Sequence, residues 1–347
     1  MPLPLSILII VVLLVLIVKV CELFTNAIEW VGERFKLSKG AVGSVLAAVG
    51  TALPETLVPI VAIVSGLIAG SGVSGEASHE IGIGAILGAP FLLSTLAMFV
   101  SGVAVAWFAR TRGRPLALHL DQHLFIRDLR YFFLAYIPAI LVAWIPVPAV
   151  KIFMAIGLVA FYGVYVVRTL QKEHMADTEF DMEPLIFDKK QAEPATGKIM
   201  LQLLVSLAGI LVLAQLFVGQ ISHVAEVLQI SPLVISLIIC PIATELPEKF
   251  NSVTWIGQRK DVMALGNITG AMVFQSCIPT AVALLFTPWE LHAQAMISVL
   301  ICLVSSGFIY LFAFRWPDKP ERQAVVFLSG GVFYLIYLLV ILLPLLN

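Results

Sequence analysis

The feature that most constrains the fold is a series of long apolar stretches along the whole chain. Ten such stretches fall at about 4–32, 40–69, 81–109, 131–147, 149–170, 199–221, 231–256, 261–286, 291–313 and 323–346. An α-helix needs about 20 apolar residues to cross a bilayer. Charged residues make up only 12% of the chain, against about 25% in soluble domains. The sequence therefore predicts an all-α polytopic membrane protein with ten transmembrane helices in a lipid bilayer.

Lysine and arginine concentrate in alternate connections between these stretches, and cytoplasmic connections carry the excess of basic residues. If the amino terminus lies outside, 18 of the 21 basic residues fall on the inner side. The first stretch has no basic start, is too long for a signal peptide and shows no cleavage pattern before Glu22. We therefore expect a retained first helix, an external amino terminus and a plasma (inner) membrane location.

Several function classes lack their sequence signals. The net charge of −1 argues against nucleic acid as a partner. The four cysteines and six histidines are scattered without ligand-like spacing, so neither a disulfide framework nor a zinc site is predicted. Protease, hydrolase and ATP-binding motifs are absent. We expect neither an enzyme nor a bound cofactor.

Two short motifs in different halves of the chain are nearly the same. They read Gly50-Thr51-Ala52-Leu53-Pro54-Glu55 and Ala243-Thr244-Glu245-Leu246-Pro247-Glu248. An acidic side chain at membrane depth costs about 2.5–3.5 kcal/mol on insertion scales, so each marks a candidate functional site. The proline beside each carboxylate removes a backbone hydrogen bond and releases a carbonyl four residues earlier. Glu55 and Glu248 with these carbonyls would form an all-oxygen shell suited to Ca²⁺.

Each motif is followed by a G-x-x-x-G-A segment, first at Gly84 and Gly88 and then at Gly266 and Gly270. These small residues would let the third and eighth predicted helices approach closely. Each half holds five predicted spans, so the second half is upside down relative to the first. Such inverted repeats are typical of secondary transporters. The predicted organisation is a first repeat at 1–168, a cytoplasmic linker at 169–198 without a calcium-sensing module, and a second repeat at 199–347.

These residues resemble the calcium/cation antiporter superfamily, and its sodium/calcium exchanger branch most closely. That family carries G-T-S-L-P-E and G-N-x-x-G-S-N-I-x-N in two α-repeats of a ten-helix inverted architecture. The resemblance covers about 40–110 and 229–286. It implies a calcium site made by Glu55, Glu248 and the carbonyls of Thr51 and Thr244.

The chain departs from the family at the residues that bind sodium. Four family serines are replaced here, by Ala52, Ala89, Glu245 and Ala271, and a family Asn/Asp pair reads Leu93 and Gln275. The pattern keeps a divalent site, in which Glu245 and Gln275 are further candidate ligands, but it weakens the case for sodium coupling.

Glu245 allows two interpretations, which are compatible. It lies three residues before Glu248 on one helical face, where it would be a third site carboxylate, and four residues before Lys249, with which it could pair. Two carboxylates about 4 Å apart repel by roughly 4 kcal/mol at an effective dielectric constant of about 20. We therefore expect an empty site to hold a proton, or Lys249 to balance the charge.

The leading hypothesis is a secondary antiporter that moves Ca²⁺ or a similar divalent cation in exchange for H⁺ or Na⁺. The alternatives are a related carrier for another cation, such as Mg²⁺ or Mn²⁺, and a membrane scaffold that transports nothing. The altered charge around Glu245 and Lys249 favours the first of these two alternatives.

Overall fold

The computed structural model describes residues 2–34, 53–67, 75–173, 184–189, 191, 193–315 and 319–342. The α-helices in these ranges are α1 Leu3–Arg34, α2 Leu53–Leu67, α3 Gly75–Leu92, α4 Met98–Arg112, α5 Gln122–Leu141, α6 Pro148–Glu173, α7 Thr196–Leu228, α8 Pro232–Gly257, α9 Asp261–Phe286, α10 Ala293–Arg315 and α11 Pro320–Leu342. A π-helical turn, Leu93–Ala97, joins α3 to α4, and 3₁₀ turns occupy Val142–Trp144 and Ile186–Asp188. Within the described ranges all regular structure is helical, as predicted.

Seven helical segments of the described chain are long and apolar enough to cross a membrane. They are Leu3–Val31, Gly75–Arg112, Pro148–Thr169, Thr196–Leu228, Asp261–Phe286, Ala293–Ala313 and Ala324–Ile341. Two shorter apolar helices, Thr56–Gly66 and Pro232–Ile242, fall in the regions of the second and seventh predicted spans. The count of ten spans stays a prediction.

Large apolar side chains are exposed along these helices. Phe153 is 75% exposed, Leu134 65% and Trp107 63%. In water such surfaces would drive association, because contiguous exposed apolar patches are rare on soluble monomers. In a bilayer they contact lipid chains, so the chain is an integral membrane protein.

The fourth predicted span is placed too late in the chain. We expected it at 131–147, but α5 runs over Gln122–Leu141 and is followed by the 3₁₀ turn. The helix starts early because the Asp121 carboxylate caps it, accepting a hydrogen bond from the Leu124 backbone N–H at 3.1 Å. The charged residues of its first turns lower the hydropathy there without preventing the helix. Asp128 therefore lies inside a helix rather than in a connection.

The chain forms two compact units. The first unit comprises Met1–Gly82 and Ala160–Pro232, and the second comprises Ile83–Val159 and Leu233–Asn347. Each unit contains segments from both predicted halves, so the units do not coincide with the repeats. The repeat boundaries at 168 and 199 therefore stay a prediction.

In the first unit α1 packs along α7, and α2 also packs against α7. Part of the predicted linker is hydrogen-bonded to α1 and α7. The Asn26 amide oxygen accepts a hydrogen bond from the Ile186 N–H at 3.0 Å, and the Gln202 amide oxygen accepts one from the Phe187 N–H at 2.8 Å. Leu185, between Pro184 and these two residues, is fully buried. These described linker residues thus form part of the packed unit.

In the second unit α9 packs against α5, and α11 packs against α4. The π-helical turn contacts α9, α10 and α11. Its Ser94 carbonyl accepts a hydrogen bond from the Ser305 hydroxyl at 2.7 Å. π-helical turns inside α-helices are often found at functional sites. This one lies at the end of the helix that carries the first G-x-x-x-G motif.

Candidate functional site

The second acidic motif lies within α8. Thr244 is 6% exposed and Glu245 only 1% exposed. The Thr244 hydroxyl donates a hydrogen bond to the Cys240 carbonyl at 3.0 Å, as is common for threonine inside a helix. The helix continues past Pro247 to Gly257, so the proline does not end it. A buried carboxylate in a membrane helix is expensive, which supports a functional role for Glu245.

The side chains of three other predicted ligands, Thr51, Glu55 and Glu248, lie outside the described residues. The side chain of Glu248 lies outside the described set, as does that of Lys249, so the pairing of Lys249 with Glu245 stays a prediction. Thr51 lies outside the described residues altogether. The backbone of Glu55 belongs to α2 and to the first unit, and its side chain is not described. The proximity of Glu55 to Glu248 also stays a prediction.

Gln275 lies near the middle of α9, and its side chain is 1% exposed. Its Oε1 atom has no hydrogen-bond partner among the described residues. Pro279, four residues on, cannot donate to the Gln275 carbonyl, which instead accepts a hydrogen bond from the Thr280 hydroxyl at 3.0 Å. Gln275 therefore presents a buried amide oxygen that is chemically suited to a cation or a water molecule.

The first G-x-x-x-G motif brings α3 against α8, within the second unit. A Cβ atom on Gly84 would lie 2.5 Å from the Leu233 carbonyl oxygen, and one on Gly88 would lie 2.5 Å from Pro241 Cγ. Any side chain larger than a hydrogen atom would separate the two helices. A close approach is thus present for these two glycines, but their partner is α8, the seventh predicted span, and not the eighth predicted span, which is α9. The helix they meet carries Thr244 and Glu245.

The second motif is less crowded where it is described. A Cβ atom on Gly266 would meet Leu124 Cδ2 at 3.5 Å, which is an ordinary van der Waals contact. Small size at Gly266 is therefore not required by its contacts among the described residues.

In each predicted repeat, the helix that carries the G-x-x-x-G motif departs from regular α-helical hydrogen bonding at the same position. Aligning the two G-x-x-x-G motifs places Leu93 opposite Gln275. The π-helical turn begins at Leu93, and the missing helical hydrogen bond before Pro279 begins at Gln275. Both helices are thus modified at the same repeat position. This agreement supports an internal repeat without fixing its boundaries.

Sequence reasoning missed three buried charged residues in the second unit: Arg114, Asp128 and Asp261. All three were assigned to connections or helix ends, where charges are usually solvated. A signal for Asp128 was present, because Phe125, Asp128, Leu129 and Phe132 recur at helical spacing and share one face.

Comparisons with known proteins agree with this description. The family model described as sodium/calcium exchanger protein matches residues 5–171 and 198–346. An uncharacterized membrane protein of Methanocaldococcus jannaschii is 24% identical over 310 residues, covering 88% of this chain and 89% of the relative. The inner membrane protein YrbG of Escherichia coli is 29% identical over 121 residues, covering 35% of this chain and 37% of the relative.

Two solved structures share the fold. The H⁺/Ca²⁺ exchanger CAX superposes with a TM-score of 0.70 at 18% identity, covering 98% of this chain and 87% of the other. The sodium-calcium exchanger NCX_Mj superposes with a TM-score of 0.55 at 21% identity, covering 96% of this chain and 99% of the other. At these identities the likeness concerns the fold.

The helical membrane fold, the acidic motif in α8 and the family match define this chain as a cation antiporter rather than an enzyme. It belongs to the sodium/calcium exchanger protein family, whose model covers both halves of the sequence.

Proposed function

We propose that this antiporter exchanges a divalent cation, with Ca²⁺ as the first candidate, for H⁺ rather than Na⁺. The observation that carries the proposal is Glu245, a carboxylate that is 1% exposed and lies three residues before the motif residue Glu248. The family branch carries a serine at this position. The substitution adds a negative charge and removes a neutral hydroxyl ligand.

The proposed divalent site uses oxygen ligands only. Its core is Glu55 and Glu248 with the carbonyls of Thr51 and Thr244. Gln275 supplies a further oxygen, since its buried Oε1 has no hydrogen-bond partner among the described residues. Ca²⁺ takes six to eight oxygen ligands at about 2.3–2.6 Å, which suits this mixture of carboxylates, carbonyls and an amide.

Proton coupling follows from the groups that replace the family serines. An alanine at position 89 or 271 offers no side-chain oxygen to Na⁺. Carboxylates that crowd an empty site repel one another, and a proton relieves that repulsion. Binding of a divalent cation then releases the proton, and the competition between the two ions couples their opposite movements.

The test is flux in proteoliposomes that contain the purified antiporter. Uptake of ⁴⁵Ca²⁺ is measured under an imposed pH gradient and, separately, under an imposed Na⁺ gradient at fixed pH. We expect the pH gradient to drive uptake and the Na⁺ gradient to add little. Strict dependence on Na⁺ without a response to the pH gradient would return this chain to sodium-coupled exchange.

Two variants and two competing metals complete this test. Glu55→Gln and Glu248→Gln should each abolish uptake in correctly folded protein, because each removes a charged ligand with little change of volume. The extent to which excess unlabelled Mn²⁺ or Mg²⁺ inhibits ⁴⁵Ca²⁺ uptake measures the preference of the antiporter among these cations. Near-normal uptake in either variant would contradict the shared carboxylate site.

A further inference from the structure

Arg114 forms a buried anchor at one end of α9. Gly113, with a φ of 61°, ends α4, and Arg114 follows it directly. The Arg114 guanidinium binds both carboxylate oxygens of Asp261, at 3.1 Å from Nη1 and 2.8 Å from Nη2. The two side chains are only 4% and 1% exposed. Asp261 is the first residue of α9, where a carboxylate also interacts favourably with the helix dipole.

Backbone groups complete this anchor. Arg114 donates from Nη1 to the Ile256 carbonyl at the end of α8, and from Nη2 to the Ala117 carbonyl at 2.8 Å. The His119 N–H donates to Asp261 Oδ2 at 3.0 Å. One guanidinium thereby fixes the end of α8, the start of α9 and the connection between α4 and α5. A lysine could not make this set of contacts, because it lacks the planar fork of donors.

Asp128, on α5, makes a second buried contact to α9. The Thr269 hydroxyl lies 2.9 Å from Asp128 Oδ2, to which it donates, and 3.2 Å from the Leu265 carbonyl. Arg127 Nη2 binds Asp128 Oδ1 at 2.9 Å. Asp128 is 1% exposed and Thr269 is fully buried. Thr269 lies between the two glycines of the second G-x-x-x-G motif.

We propose that Arg114 and Asp128 are positioning residues for the cation site. Both belong to the α4–α5 segment and hold α9, the helix that presents Gln275, at its first residue and two turns further on. The contacts described above, to Asp261 and Thr269, both lie on α9, so the two residues act through the position of that helix. This inference rests on the proposed function, since it concerns the affinity of the same site.

The reason that position matters is the narrow range of metal–oxygen distances. Ca²⁺ ligands lie within a window of about 0.3 Å, and supporting residues must hold a site to within about 0.5 Å. Outer residues that orient ligands change metal affinity by about 10–100-fold when they are mutated. Loosening α9 should therefore weaken cation binding before it unfolds the protein.

The decisive comparison is Thr269→Val against Thr269→Ser. Valine has nearly the shape of threonine but lacks the hydroxyl, whereas serine keeps it. In proteoliposomes under a pH gradient we expect Thr269→Val to raise the KM for ⁴⁵Ca²⁺ about tenfold with a smaller change in maximal rate. Thr269→Ser should stay within about twofold of the wild type, well below the tenfold step expected for a lost orienting contact.

Arg114→Lys, Asp128→Asn and thermal unfolding complete the test. Both variants should raise the KM in the same direction as Thr269→Val. An unchanged KM in Thr269→Val and Asp128→Asn, with only a lower melting temperature, would overturn the inference and assign these residues to stability alone. Absence of divalent flux in the wild type under every gradient would instead overturn the proposed function and, with it, this inference.

Discussion

Gln275 joins two properties that rarely occur together in a packed helix. Its side chain is 1% exposed, and its Oε1 has no hydrogen-bond partner among the described residues. Leaving a buried acceptor unsatisfied costs about 1–3 kcal/mol. The neighbouring backbone shows the opposite pattern, because the carbonyl that Pro279 leaves free is satisfied by the Thr280 hydroxyl. The fold thus satisfies the main chain at this position, whereas the side-chain oxygen has no hydrogen-bond partner among the described residues.

Replacing Gln275 by leucine should weaken transport of the divalent cation without lowering the thermal stability of the protein. The KM for the divalent cation should rise about tenfold, in line with the loss of about 1.4 kcal/mol of binding free energy from one ligand. The melting temperature in detergent should hold or increase, because a buried side chain whose amide oxygen lacks a hydrogen-bond partner among the described residues becomes an apolar side chain of similar size. Flux assays and thermal unfolding of the same preparation measure both. A fall in stability with an unchanged KM would mean that Gln275 is a packing residue.

At the scale of elements, the contact between α3 and α8 determines where the second acidic motif lies. Gly84 and Gly88 let the α3 backbone touch the carbonyl side of α8 near Leu233 and Pro241. Such close approach is favoured in membranes, where helices associate by packing rather than by the hydrophobic effect. The contact falls in the turns of α8 that precede Thr244, so it fixes the helix just before the candidate ligands Thr244 and Glu245.

Alanine at Gly84 or Gly88 should destabilise the protein by about 1–3 kcal/mol, the usual cost of overpacking. The added methyl group would lie 2.5 Å from the Leu233 carbonyl oxygen in the first case and from Pro241 Cγ in the second. Gly307→Ala in α10 is the matched control, because a Cβ atom there meets nothing within 4 Å. Thermal unfolding in detergent should show lower midpoints for the first two variants only. Equal midpoints for all three would contradict the packing described for α3 and α8.

At the scale of the whole molecule, the distribution of lysine and arginine predicts the orientation of the chain across the membrane. Under the predicted topology Glu193 lies on the inner side, and Glu290, between α9 and α10, lies on the outer side. Both residues are exposed. The four native cysteines are buried, which keeps background labelling low.

Single cysteines at positions 193 and 290 should therefore label on opposite sides. In intact cells a membrane-impermeant maleimide should modify Glu290→Cys and leave Glu193→Cys unmodified until the membrane is permeabilised. The wild-type chain controls for the buried native thiols. Labelling in the reverse order would invert the proposed topology, whereas labelling of both variants from outside would contradict an odd number of spans between them.

Local sequence properties predicted most of the secondary structure. The eighth predicted span matches α9 at both ends, 261 and 286, because Asp261 begins the helix and the apolar run ends at Phe286. The fourth span was misplaced, because hydropathy alone undervalues an amphipathic start such as the one that Asp121 caps in α5. Thr244 and Glu245 were identified as candidates from the second acidic motif and Gln275 from the family resemblance, and all three are buried. Their roles as ligands stay a prediction.

The sequence by itself determined that the chain is helical and membrane-embedded. In lipid each backbone polar group needs a hydrogen-bond partner, and a helix supplies these partners within the apolar run itself, so a run of about 20 apolar residues favours a helix. Tertiary structure alone decided which helices meet. It paired Gly84 with α8, buried Arg114 against Asp261 and joined Asp128 to Thr269. These contacts link residues far apart in the chain, and hydropathy and periodicity specify only that a face will be buried, not the partner that buries it.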